Sequence, residues 1–194
     1  MKILSPLALL LVTSSLAACA ADSEDIPEIT GPVTETAATI HDDGTVSTTT
    51  REVSVEEQLA EVDARLAAEA EGTVAIARVV QDSACANASL WVYDQTNFAG
   101  NRICFQREGE LGGYFNLSSI TYTCKMVGYP PRFVCFGWDE KVRSYWAGAD
   151  GGRFMDDDVP PVSASHWFAA WASLATGDSV VNGADVVMLN PVIN

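Results

Sequence analysis

The spacing of apolar residues changes from helical to strand-like at Gly72, and this change most restricts the fold of the chain. After Gly72, short runs of β-branched and aromatic residues alternate with breaks rich in Gly and Pro, a pattern typical of consecutive short strands. The runs cover 74–80, 90–93, 102–105, 120–123, 133–136 and 142–146. Residues 167–174 fit a short helix or a strand, and 180–189 fit a closing strand or a hairpin around an Asn-Gly pair. The sequence therefore predicts an all-β domain over 73–194, built as a sandwich or Greek-key unit.

The first nineteen residues are organised like an export signal. Residues 1–2 carry a positive charge, 3–12 are apolar, and the Leu-Ala-Ala-Cys sequence at 16–19 resembles the lipobox of bacterial lipoproteins. The resemblance implies removal of 1–18, lipidation of Cys19 and attachment by several acyl chains. Because Ala rather than Asp follows the cysteine, we expect an outer-membrane or cell-surface location. An ordinary secretory signal is the alternative, and the lipid anchor is the only membrane contact expected, because no later apolar run is long enough to span a bilayer.

A flexible acidic linker is predicted over 19–53. Residues 20–50 contain two prolines and no aromatic side chain, so they offer little surface whose burial could offset the entropy cost of ordering. Of the 26 acidic residues, 14 fall within 1–80, where only four of the 11 Lys and Arg residues lie. The net charge of −15 argues against nucleic acids and anionic lipid surfaces as partners, since their phosphates would be repelled.

One short amphipathic helix is predicted over 54–72, between the linker and the β domain. Ser54 and Glu57 have the spacing of a capping box, and Gly72 provides a stop. Four apolar residues fall on one helical face: Val55, Leu59, Val62 and Leu66.

Four cysteines lie in the predicted β domain: Cys85, Cys104, Cys124 and Cys135. An even number of cysteines in an exported chain indicates two disulfides, and the sequence leaves three pairings open. The alternative of a zinc site lacks both the paired Cys-x-x-Cys spacing and a nearby His. We therefore expect disulfides.

Tyr93, Phe98 and Gly100 form the most specific motif of the chain. In the segment Tyr-Asp-Gln-Thr-Asn-Phe-Ala-Gly at 93–100, four residues separate the two aromatics and one residue separates the second aromatic from the glycine. This spacing resembles the Greek-key signature of βγ-crystallins and of the crystallin-like microbial proteinase inhibitors. The resemblance implies a βγ-crystallin-type sandwich in which a doubled-over turn joins two strands. Its two rings pack together, and Gly100 takes a backbone conformation that other residues resist.

Residues 139–144, Asp-Glu-Lys-Val-Arg-Ser, resemble the later element of the same family. In that family the final Ser hydrogen-bonds to the folded turn, and the resemblance gives this role to Ser144. The fifth position usually helps to ligate calcium, but here it is Arg143, which has only donors and cannot bind a metal ion. Asp139 and Glu140 stay weak candidate calcium ligands, and no other cofactor is expected.

Two further groups of residues have less specific interpretations. Asp150 and 156–158 form an acidic turn that offers oxygen ligands to calcium, but the alternating spacing of an EF-hand is missing, so a solvated turn is favoured. His166, with Ser163 and Ser165 nearby, is the only histidine of the predicted β domain. It lacks an activated nucleophile of recognisable type, so catalysis is not favoured.

Six aromatic residues gather late in the chain: Trp138, Tyr145, Trp146, Trp167, Phe168 and Trp171. Flat rings of this kind suit either a platform for glycans or the core of the sandwich. The core is favoured because large aromatics dominate small cores.

The sequence predicts a non-catalytic, lipid-anchored protein of the cell envelope. The resemblance to crystallin-like inhibitors implies that an exposed loop binds an extracellular proteinase or another envelope protein. Disulfides favour this role because they lower the entropy cost of presenting a loop. The candidate loops are the long segment between the folded turn and 130–131, and the segment 148–158. A calcium-binding structural module is the alternative, and an envelope hydrolase using His166 is a third and less favoured hypothesis.

Overall fold

A computed structural model of the chain describes residues 29–70, 90–110, 112–156 and 164–191. The predicted lipidation site Cys19, the predicted strand 74–80 and Cys85 lie outside these ranges. Twelve strands lie within them: β1 (Val33–Ile40), β2 (Val46–Val53), β3 (Leu90–Tyr93), β4 (Arg102–Arg107), β5 (Gly113–Asn116), β6 (Thr121–Val127), β7 (Arg132–Gly137), β8 (Ser144–Ala147), β9 (Gly152–Asp156), β10 (Ala164–Phe168), β11 (Ser173–Leu174) and β12 (Val186–Leu189). The same ranges contain two helices and one short 3-10 turn: α1 (Val55–Ala70), α2 (Ser179–Asn182) and Leu117–Ser119. The described chain is therefore mostly β, in agreement with the predicted class.

The strands form three sheets. The largest has the order β11-β8-β3-β4-β1-β2, the second has the order β10-β9-β12-β5, and β6 and β7 form a separate hairpin. The first half of the domain contains β3, β4, β5 and β8, and the second half contains β9, β10, β11 and β12. Each large sheet includes one strand from the other half. The short strand β11 joins β8, β3 and β4, whereas β5 joins β12, β9 and β10. Because of this exchange, neither half can complete its sheet without the other.

Both large sheets contribute side chains to one apolar core. Phe105 of β4 and Phe115 of β5 lie in different sheets, and their ring centroids are 4.9 Å apart. Tyr145 of β8 likewise packs on Phe154 of β9, with ring centroids 5.0 Å apart. Burying a large apolar side chain stabilises the fold by about 1.5–3 kcal/mol, so these contacts hold the sheets together.

The predicted aromatic core is correct only in part. Of the six late aromatics, three are buried and one is half-buried: Trp138, Tyr145, Phe168 and Trp146. Trp167 and Trp171 are 62% and 47% exposed, so their assignment to the core is wrong. The side chain of Trp167 lies on the outer face of β10, because alternate residues of a strand point to opposite faces.

Residues 33–53 are ordered strands and not the flexible linker that the sequence predicted. They form the hairpin β1–β2, and β1 pairs in parallel with β4 at the edge of the largest sheet. Ala37, Ala38 and Val53 are buried there. The prediction is wrong for these residues because it considered only the lack of large apolar side chains. A segment rich in Val and Thr that joins an existing sheet satisfies its backbone hydrogen bonds without aromatic residues.

A buried carboxylate connects this hairpin to the rest of the domain. Glu35 of β1 is 2% exposed and accepts hydrogen bonds from Arg51 Nε at 2.6 Å and from Arg102 Nε at 2.7 Å. The guanidinium of Arg102 also pairs with Glu61 of α1, and that of Arg51 pairs with Glu57. Burial lowers the pKa of Arg102, but the hydrogen bond to Glu61 and the surrounding negative charge outweigh burial and raise it. The network thus joins β1, β2, β4 and α1.

Helix α1 begins as the sequence predicts. The backbone N–H of Glu57 donates to Ser54 Oγ at 3.2 Å, which is the N-cap bond of a capping box. The structure describes the helix as far as Ala70, and the predicted boundary at residue 72 lies outside the described residues. In the described part of the chain, no helix is long and apolar enough to cross a membrane.

The structure separates the two alternatives for residues 180–189. The closing strand is present as β12, but there is no hairpin around Asn182. The chain instead turns in α2, whose N-cap Asp178 accepts hydrogen bonds from the N–H groups of Val180 and Val181. This cap stabilises a helical turn in place of the predicted hairpin.

We predict that Glu35→Ala destabilises the protein by about 3 kcal/mol, because it removes the buried carboxylate that Arg51 and Arg102 share and leaves Arg102 with Glu61 alone. Urea unfolding followed by tryptophan fluorescence measures the change, since Trp91 lies 5.2 Å from the Arg102 guanidinium. Glu52→Ala is the matched control, because Glu52 is an exposed carboxylate of β2 and its loss should cost under about 0.5 kcal/mol. Equal effects of the two substitutions would contradict the role given to the network.

Candidate functional site

The turn between β3 and β4 is doubled over. Asn97 and Phe98 both have positive φ angles, 57° and 58°, and Gly100 has φ 80°. The rings of Tyr93 and Phe98 meet edge to face with their centroids 5.9 Å apart, and Phe98 also contacts Trp146 of β8 at 5.3 Å. A side chain at Gly100 would clash with the Asp94 carboxylate, so glycine is required by space as well as by backbone conformation.

Ser144, the first residue of β8, connects to this turn. Its Oγ accepts a hydrogen bond from the Phe98 N–H at 3.1 Å and donates one to the Gln95 carbonyl at 2.7 Å. Ser144 is fully buried, so water does not reach its hydroxyl. The hydroxyl itself satisfies the two backbone groups. Tyr93, Phe98 and Ser144 are thus in contact with one another and Gly100 lies in the same turn, while the family itself stays a prediction.

The candidate calcium ligands Asp139 and Glu140 lie in the turn that leads into β8. Arg143 Nη1 donates to the backbone carbonyls of Glu140, Val142 and Asn182, at 3.0, 2.8 and 3.2 Å. The guanidinium therefore already supplies a positive charge to the carbonyl oxygens of this region. Among the described residues, no group of three or more His, Cys, Asp or Glu side chains is arranged to hold a metal ion.

The predicted acidic turn does not form a cluster in the described residues. Asp150 is buried and pairs with Arg107, whose Nη1 also donates to the Asn190 carbonyl at 2.6 Å. Burial raises the pKa of Asp150, against the lowering effect of the Arg107 charge. Asp156 lies in β9, and residues 157–158 fall outside the described ranges.

Among the described residues, His166 has two hydrogen-bond partners, neither of which is a nucleophile of the expected type. Its Nε2 lies 3.1 Å from the Tyr145 hydroxyl and its Nδ1 lies 2.7 Å from Asp178 Oδ2. Burial raises the pKa of Tyr145, so this phenol stays protonated. Ser165 is exposed, and Ser163 lies outside the described residues. The contacts of His166 therefore connect β8 and β10 to the N-cap of α2.

Residues 121–137 form a hairpin, here named the finger, that sequence reasoning did not identify as a distinct unit. Within the described ranges its strands β6 and β7 pair only with each other, and the Cys124–Cys135 disulfide joins them. Cys104 in β4 is also disulfide-bonded. The finger therefore presents a covalently closed hairpin apart from the two large sheets.

The finger carries exposed apolar side chains along its length. The most exposed are Tyr129 at 100%, Phe133 at 69%, Met126 at 59% and Phe136 at 40%. Met126 and Phe133 are register partners, two positions beyond the disulfide pair, so they share a face with it. A sequence signal existed in the long apolar segment around the Gly-Tyr-Pro-Pro turn, but strand periodicity alone does not show that both faces of a strand are exposed.

The base of the finger is fixed to the folded turn. The rings of Tyr122 and Trp138 meet edge to face with centroids 5.1 Å apart, and the Tyr122 hydroxyl donates to Asp94 Oδ2 at 2.7 Å. Burial and this hydrogen bond raise the pKa of Tyr122, which keeps the phenol a donor. A Cβ at Gly137 would lie 2.6 Å from the backbone of Ser118, so glycine permits the close approach of β7.

The finger also differs from the rest of the chain in charge. It contains Lys125 and Arg132 and no acidic residue, in a chain of net charge −15. Both basic side chains are exposed, and Lys125 Nζ lies 5.0 Å from the Phe136 ring centroid. Apolar and basic side chains thus occur together on this hairpin.

No protein-family model matches the sequence, and no curated protein matches it either.

We predict that millimolar calcium leaves the melting temperature of the protein unchanged. Arg143 already donates hydrogen bonds to the backbone carbonyl oxygens of residues 140, 142 and 182, which a calcium ion would need. Differential scanning calorimetry with calcium and with magnesium provides the measurement. A rise in melting temperature specific to calcium, and reduced in an Asp139→Asn variant, would restore the calcium-module hypothesis.

Proposed function

We propose that the chain is a non-catalytic, lipid-anchored envelope protein whose finger binds another protein. Its partner would be an extracellular proteinase, inhibited by the bound finger, or another protein of the envelope. The proposal includes acylation at Cys19, an outer-membrane or cell-surface location, and a domain of βγ-crystallin type.

The strand exchange supports the crystallin-type assignment. Each of the two halves contributes its third strand, β5 or β11, to the sheet of the other half, as expected of two Greek keys paired about a pseudo-twofold axis. The bond between Ser144 and the folded turn is the contact that the family resemblance implies. The finger would then be an insertion between the third and fourth strands of the first key, because it follows β5 and precedes β8.

One observation carries the binding proposal: Tyr129, Phe133 and Met126 are exposed on a hairpin closed by a disulfide. Exposed apolar clusters on a soluble domain mark interaction sites. The disulfide and the contacts of Tyr122 restrict the finger before binding, so less conformational entropy is lost when it docks.

The charge of the finger supports a partner of particular chemistry. Lys125 and Arg132 beside exposed aromatic side chains complement an apolar cleft rimmed by carboxylates. Aromatic and Arg side chains are also the residues that most often dominate binding energy in protein interfaces.

The alternative functions have less support. For a calcium module, the guanidinium of Arg143 competes for the carbonyl oxygens that a calcium ion would need. For a hydrolase, His166 would need a nucleophile, but its nitrogens contact a buried phenol and the N-cap carboxylate of α2.

We expect the exported protein to inhibit at least one member of a panel of extracellular metallo- and serine proteinases. Tyr129→Ala or Phe133→Ser should weaken inhibition by about thirtyfold, the loss typical of a hot-spot side chain. Inhibition constants from progress curves provide the measurement. Neither substitution should change the melting temperature by more than about 2 °C, because both side chains are exposed.

Tyr114→Ala is the matched control, because Tyr114 is 60% exposed but lies in β5, outside the finger. This variant should inhibit as strongly as the unaltered protein. Uniform inactivity across the panel would reject the inhibitor role. Concentration-dependent dimerisation that depends on Tyr129 would instead identify a second copy of the chain as the occupant of the finger and contradict the proposal.

A further inference from the structure

The outer face of the four-stranded sheet carries one continuous row of side chains. Trp167, Arg153, Met188 and Tyr114 are consecutive register partners across β10, β9, β12 and β5. Phe154, Phe168, Val187 and Phe115, which alternate with them along these strands, are buried, so the row faces away from the core. We name these four residues the aromatic row. It spans three strand spacings, or about 14 Å.

Both ends of the aromatic row are exposed rings. Trp167 is 62% exposed and Tyr114 is 60% exposed. The row crosses the sheet at right angles to the strands, so the two rings lie on one side of the sheet and are separated by the side chains of Arg153 and Met188. A long, narrow ligand with repeated apolar faces can contact both rings at once.

Among the described residues, no carboxylate forms an ion pair with Arg153. Its guanidinium carbon lies 5.0 Å from the Trp167 ring centroid, a cation–π contact that holds the side chain along the row. Its Nε is buried and has no hydrogen-bond acceptor within the described residues. A guanidinium held beside an exposed ring favours a ligand carboxylate, which accepts hydrogen bonds from this group.

The described strand positions on this face carry no acidic residue. Eight positions of the described chain point outward from it: Ser165, Trp167, Arg153, Met155, Val186, Met188, Tyr114 and Asn116. None is acidic, although the chain contains 26 Asp and Glu residues. Ser165 and Asn116 are exposed in the row next to the aromatic row, where they offer hydrogen bonds to hydroxyl groups.

We propose that the aromatic row binds a glycan strand that carries carboxylates, namely an oligosaccharide of uronic acids. The rings of Trp167 and Tyr114 stack on sugar faces, and Arg153 pairs with a carboxylate of the sugar between them. The net charge argues against extended polyanions such as nucleic acids and lipid surfaces, which meet the field of the whole chain. A short uronic acid oligomer meets the local charge of Arg153, because physiological salt screens charges that lie more than about 8 Å away. This site is separate from the finger and does not depend on the protein-binding proposal.

The test uses the exported protein and a tetramer of galacturonic acid, with the fully methyl-esterified tetramer as the uncharged probe. Titration calorimetry should detect binding of the acidic tetramer, with about tenfold weaker binding of the ester. Arg153→Gln should remove this preference, and Arg153→Lys should keep most of it. Trp167→Ala should weaken binding of both probes by about tenfold.

Tyr129→Ala, in the finger, is the control that separates this proposal from the previous one, and it should bind both probes normally. Thermal melting of each variant confirms folding, and exposed Tyr114 gives a second substitution, Tyr114→Ala, at the far end of the row. Absence of binding at millimolar tetramer overturns the proposal. Equal affinity for the two probes, or binding to vesicles of anionic lipid that Trp167→Ala abolishes while neither probe binds, would also overturn it.

Discussion

The hydroxyl of Ser144 is the contact on which the arrangement of this domain most depends. A turn that doubles back on itself directs backbone groups toward the protein interior, where each unpaired group costs about 1–3 kcal/mol. Ser144 Oγ satisfies the Phe98 N–H and the Gln95 carbonyl together, and it does so from the first residue of β8. The bonds therefore connect the turn to the strand that pairs with β3.

The finger and the second sheet depend on this arrangement in different ways. Asp94, in the folded turn, accepts a hydrogen bond from Tyr122 at the base of the finger, so the position of the hairpin follows from that of the turn. Packing between Tyr145 of β8 and Phe154 of β9 connects the turn-bearing sheet to the four-stranded sheet that carries the aromatic row. The two proposed binding surfaces are thus built on one rigid core while lying on different elements.

The sequence predicts those parts of the fold that rest on local spacing. Tyr93, Phe98 and Gly100 are close in the chain, and the turn that they form is readable because its geometry requires particular residues at particular positions. The start of α1 at Ser54 is local in the same way. The hairpin β1–β2 was missed because it is stabilised by pairing of Glu35 with Arg102, 67 positions away in the sequence.

The candidate sites were only partly predicted, for a similar reason. The segment up to 130–131 was a candidate loop and a glycan platform was considered, but neither surface was located. Apolar periodicity predicts the strands of the finger. It does not show that Phe133 is left uncovered, because that exposure depends on the topology. Trp167 was assigned to the core because aromatic residues usually lie there, whereas the register places it beside Arg153 on an outer face. At their described positions, both surfaces carry basic side chains and no acidic ones, although the chain as a whole is strongly acidic. This contrast supports their roles in binding.

Native-state hydrogen exchange of the Phe98 amide tests the central claim most directly. If Ser144 accepts this hydrogen bond in a buried clasp, exchange of the amide should be slowed by about a thousandfold or more relative to an unstructured chain, and Ser144→Ala should remove at least about tenfold of this protection. The Ser165→Ala variant, altered at an exposed serine, should leave the protection intact. Rapid exchange of the Phe98 amide in the unaltered protein, at the rate of an open loop, would contradict the account.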